Sequence, residues 1–230
     1  MSWFINLAPL IVSGGVLLIY LIPFLWSKPS IGSLGLAEYG SHRDRIIRTA
    51  PIFVGAMLLF NSFFVCGWLS FSNVEMAQQA ITTFTGQEIQ SSLLNEVSAI
   101  RGVVLFFLEL AINPLLALAL ILPVLWASFL LFWVLFMVYV KHVHTWHPVG
   151  MIFFVINLII LAASLWLLPT VTDHPLPQVQ VALLAAGATM GWGIWFTWLG
   201  LGLVGLGIVA ELLLPEGLTE PGPIIRRGNF

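Results

Sequence analysis

Three of the five histidines in this chain fall in one short stretch, KHVHTWHP, as His142, His144 and His147. Neutral imidazole is the commonest metal ligand among side chains, so metal or haem binding is the first chemistry this pattern suggests. On a continuing helix His144 and His147 share a face and His142 points away, whereas an extended H-x-H places His142 and His144 together. Pro148 biases His147 away from helical angles, so a helix ending there lets the ligands converge after a turn. His42, with Glu38 and Asp44, is expected on the same side of the membrane and is the candidate to complete the set. The competing reading is interfacial: Lys141, protonated imidazoles and Trp146 at a helix C-terminus suit both the macrodipole and the headgroup layer. Asp173 and His174 are expected at the opposite face, away from this cluster.

Glu109 poses a different question, because it is a lone carboxylate inside the longest apolar run, 102–148. An ionisable group within a membrane span is costly and by default marks function. Asn113 lies four residues on and so on the same helical face, and Pro114 leaves a carbonyl beside it without a donor. Glu109 and Asn113 together form a candidate intramembrane polar site. The plainer alternative is a carboxylate about two turns deep that snorkels to the surface or pairs with Arg101.

The elements that must position these residues follow from composition. With 60% hydrophobic and 8% charged residues, the chain cannot cover a soluble surface. A polytopic, all-α integral membrane protein in a single domain is expected, lying in a bacterial-type inner membrane or its equivalent. A net charge of −2 without a block of like charges gives nucleic acid no footing. The single cysteine, Cys66, excludes an internal disulfide.

Five spans are predicted, at 4–26, 51–71, 114–140, 149–168 and 181–214, with an amphipathic segment at 73–100 lying on the membrane or against a partner. Pro51 is expected to open the second span. A helix over 102–140 would be roughly 58 Å long against a hydrocarbon core of about 30 Å, so the run must break or cross twice. Pro114 and Pro123 are the candidate breaks. Lys28, Arg43, Arg45, Arg48, Lys141, Arg226 and Arg227 share one side only if it crosses once. The positive-inside rule therefore favours one crossing, with the N-terminus outside and the C-terminus cytoplasmic.

In the fifth span Ala186, Gly193, Gly200 and Gly207 recur every seventh residue, and Gly187 with Gly191 adds a small-xxx-small pair. Small residues in register admit a close backbone neighbour, so this seam is a candidate packing surface. Trp192, Trp195 and Trp198 form an aromatic stripe that suits lipid or packing before it suits a pigment or quinone.

In outline a five-span chain with its N-terminus outside is similar to the dihaem cytochrome b subunits of respiratory nitrate reductases. Those carry axial histidines inside their spans, and the first, second, fourth and fifth spans predicted here contain none. The leading functional expectation is a non-catalytic membrane subunit of a larger, energy-transducing complex, respiratory or photosynthetic, serving electron transport through a structural or cofactor-contacting role among other membrane subunits. The alternatives are a small secondary transporter or channel using Glu109, and a metal- or haem-binding membrane protein using the histidines.

Overall fold

The computed structural model describes residues 2–26, 42–85, 99–139 and 146–213. The chain is mostly helical, as an all-α membrane protein requires. The helices among the described residues are α1 (Ser2–Trp26), α2 (His42–Phe64), α3 (Val74–Thr85), α4 (Gly102–Ile112), α5 (Pro114–Tyr139), α6 (Trp146–Leu167), α7 (Pro177–Ala185) and α8 (Trp192–Leu213). Among the described residues, four helical stretches are long and apolar enough to cross a membrane: Ile46–Phe64, Pro114–Tyr139, Pro148–Val171 and Trp192–Leu213. α1 contributes a shorter apolar stretch, Leu7–Pro23.

Several boundaries differ from those predicted. α2 begins at His42 and runs through Pro51, so that proline lies inside the helix and does not open it. α5 likewise continues through Pro123, while Pro114 stands at its first position, where the missing N–H costs nothing. Of the amphipathic segment expected over 73–100, the described residues form a helix at Val74–Thr85 and open a strand at Ala99, and 86–98 lie outside the described residues. The expected fifth span, 181–214, is two helices with a strand between them.

The strands were not anticipated. β1 (Gly67–Phe71) lies between β2 (Ala99–Arg101) and β3 (Ala188–Met190), both antiparallel to it. Leu69 faces Ile100 on one side and Met190 on the other. GWLSF departs from helix because its large side chains find burial as a strand: Trp68, Leu69 and Phe71 are all buried. The sheet ties the exit of α2 to the entries of α4 and α8, at the end of α2 remote from Arg43, Arg45 and Arg48. Gly187 turns the chain from α7 into β3 with φ +63, where a Cβ would stand 1.9 Å from Ser72 Oγ. The pair Gly187 and Gly191 is therefore turn and strand chemistry, not a helix-packing motif.

α2 packs most extensively on α8 and next on α5. Several polar groups inside the bundle clamp one helix to another. Ser62 Oγ meets Thr197 Oγ1 at 3.0 Å, Ser13 donates to Asn61 Oδ1 at 2.9 Å, and Tyr20 donates to the Ile46 carbonyl. Asn157 accepts from Trp126 Nε1 and donates to the Leu201 carbonyl, both at 3.0 Å, joining α5, α6 and α8. Such bonds matter in hydrocarbon because no water replaces a lost partner.

Candidate functional site

The site lies at the sheet end, where α4 meets the segment between α6 and α7. α4 stops at Ile112 because Pro114 has no N–H to continue it. The Asn113 N–H closes the last turn onto the Glu109 carbonyl at 2.6 Å, and Asn113 Oδ1 accepts from the Leu116 N–H at 3.4 Å, capping α5. Asn113 thus serves the helix break, and its side chain does not join that of Glu109 in a notch. Gly102, Leu105 and Glu109 form the buried stripe of α4, while Phe107 and Leu110 face outward. Glu109 occupies a core position and is only 4% exposed. It neither snorkels nor pairs with Arg101.

Its partner is His174, 65 residues away, whose Nε2 stands 3.2 Å from Glu109 Oε2. The histidine follows a 3-10 turn, Leu168–Val171, in which Pro169 ends α6 and its carbonyl receives the N–H groups of Thr172 and Asp173. Asp173 points outward to Gln180, and His174 points inward and is 2% exposed. The Leu176 N–H donates to His174 Nδ1 at 3.2 Å. An N–H can donate only to a lone pair, so Nδ1 carries no proton and Nε2 carries the single proton of a neutral ring. Nε2 then donates to Glu109 Oε2.

Both ring nitrogens are thereby occupied. In this geometry His174 has no lone pair left for a metal and none with which to act as a general base. What remains open is Glu109 Oε1, which has no hydrogen-bond partner among the described residues.

Glu109 also lines a cavity of about 50 Å³. Its other walls are apolar, including Leu69 and Phe71 from β1, Ile100 from β2, Leu105 from α4, and Val179 and Leu183 from α7. A carboxylate with a spare oxygen therefore faces a small space that offers it no other polar side chain.

The remaining candidates lie elsewhere. His142 and His144 fall outside the described residues; His42 opens α2 and His147 sits in the first turn of α6, and the placement of their side chains is likewise outside what is described. Among the described residues no three His, Cys, Asp or Glu side chains gather as a metal site. Gly193, Gly200 and Gly207 face neighbours within the chain. A Cβ at Gly193 would strike Trp68, one at Gly200 the Gly55 carbonyl and Leu59, and one at Gly207 Ile52 and Pro51. Ala186 is buried but lies just beyond α7, outside the helix of the three glycines. Trp192 and Trp195 are exposed along α8, and Trp198 is half-buried.

Comparison with family models, with curated proteins and with solved structures gives no match.

Proposed function

We propose that this chain is a small secondary transporter in which Glu109 takes up and releases a proton at the sheet end of the bundle. One observation carries the reading: a single buried carboxylate, held by a neutral imidazole through one oxygen, keeps its other oxygen free beside an apolar cavity. Charged groups at such positions are expensive and persist where they do work. The break at Asn113 and Pro114 supports it, because α4 can tilt there without unwinding α5. In the arrangement we favour, α1 is a fifth span, the N-terminus and sheet lie outside, and the basic end faces the cytoplasm. The test is proton movement in liposomes containing the purified chain and an internal pH dye. A pH jump should acidify wild-type vesicles faster than those carrying Glu109→Gln, and equal rates would remove the proposal.

A second reading is a non-catalytic subunit of a larger membrane complex. The glycine seam no longer argues for it, since Trp68 of β1 and α2 fill it within the chain. The broad outward faces of α6 and α8, with Trp166, Trp192 and Trp195 exposed, still do. Native mass in mild detergent distinguishes this reading from a free-standing chain of 25.4 kDa.

A further inference from the structure

Resting on that reading of Glu109, we infer that the cavity beside it takes a small tertiary ammonium ion, of the size of trimethylammonium, in exchange for the proton. The charge of the ligand follows from the carboxylate, since Glu109 is the one titratable residue lining the cavity among the described residues. β1, β2, α3, α4, the Leu168–Val171 turn and α7 contribute only apolar walls besides Glu109. A metal ion does not fit, because hard cations need several oxygen ligands and one free carboxylate oxygen is present.

The size follows from the volume. A space of about 50 Å³ is several times the roughly 10–15 Å³ needed to hold one water, and limits the ligand to a few heavy atoms. The degree of substitution follows from hydrogen-bond accounting. Glu109 Oε1 is one acceptor in an otherwise apolar space, and a buried donor without an acceptor costs about 1–3 kcal/mol. A primary ammonium brings three N–H donors and leaves some unpaired. A tertiary ammonium brings one, and its methyl groups suit the walls.

Proton and cation compete for the same oxygen. The neutral, protonated pair plus one ammonium ion gives the ionised pair with its cation bound and one proton released to water, so charge balances. Loading one ligand thereby expels the other.

The decisive experiment is titration calorimetry on the full-length chain in detergent with trimethylammonium, n-propylammonium and tetramethylammonium chlorides. The first two are isomers of equal charge. Trimethylammonium should bind at least tenfold more tightly than either of the others, and its affinity should fall as pH is lowered. Glu109→Gln should abolish binding, and so should Ala182→Leu, which fills the cavity and leaves the carboxylate in place. Both variants are first required to match wild type in size-exclusion profile; if one fails, the ranking of the three cations on wild type decides alone. Equal affinities for all three, or binding that survives Ala182→Leu in folded protein, would overturn the inference. Proton flux that depends on Glu109 with no cation binding would overturn it while leaving the proton reading intact. Cation binding of the expected ranking without Glu109-dependent flux would overturn the transporter reading and leave the binding site standing.

Discussion

Gly55 of α2 and Gly200 of α8 lie backbone to backbone, so that a Cβ on Gly55 would stand 2.6 Å from the Gly200 carbonyl oxygen and one on Gly200 2.9 Å from that of Gly55. In lipid there is little hydrophobic drive between helices, and close backbone packing of this kind supplies the attraction in its place. Carbonyl groups in a helix cannot step aside as a flexible side chain can.

Gly200→Ala should therefore destabilise the bundle by about 1–3 kcal/mol through overpacking. Gly202, two residues further along the same helix and so on a different face, has open space where its Cβ would be. Gly202→Ala should be neutral or stabilising by up to about 1 kcal/mol, since alanine is the better helix former. Unfolding titrations of both variants in mixed detergent check the pair, and shifts of the same sign would contradict the seam.

Glu109 and His174 should respond unequally to substitution. His174→Ala leaves a buried carboxylate without its donor and the Leu176 N–H without its acceptor, a loss of about 2–4 kcal/mol. Glu109→Gln retains an oxygen that can accept from Nε2 and should cost about 1 kcal/mol or less. The same unfolding titration reads both, and a larger loss for Glu109→Gln would mean that the carboxylate charge itself holds the site together.

Cys66, half-buried just beyond α2, should be a slow nucleophile. Burial pushes its thiol up from the ordinary range, and the nearby Arg101 guanidinium offsets only part of that rise. Because the thiolate is the reacting form, alkylation should be slow at neutral pH and accelerate only above the usual thiol range. Arg101→Gln should slow it further, and mass spectrometry of timed iodoacetamide reactions measures both. Faster alkylation in the variant would contradict the electrostatic account.

Sidedness can be checked at the site itself. Gln178→Cys, at an exposed position on α7 close in sequence to His174, should react with an impermeant maleimide from outside in a Cys66→Ala background. Ser33→Cys should react only after the membrane is opened. The reverse pattern would invert the orientation and place Glu109 at the cytoplasmic face.

The membrane character of the chain was decided by its sequence alone, because hydropathy over a helix length is a local sum that no tertiary arrangement changes. So was the break at Pro114, where a missing N–H acts on its own helix, and so was the cost of placing Glu109 in an apolar run. The regularity of Gly193, Gly200 and Gly207 was equally plain, but the neighbour that fills their seam was not, because a small residue specifies a close approach without saying whose. The sheet was hidden for a related reason: β1 is five residues long and β2 and β3 three each, too short for a period of two to stand out. The pairing of Glu109 with His174 was decided by tertiary structure. Its only trace in the sequence is that the predicted topology sets both residues toward the same membrane face. A buried charge announces its cost in its own neighbourhood, but the donor that offsets the cost is found across the fold, in a proline-rich turn whose histidine has no periodic signature of its own.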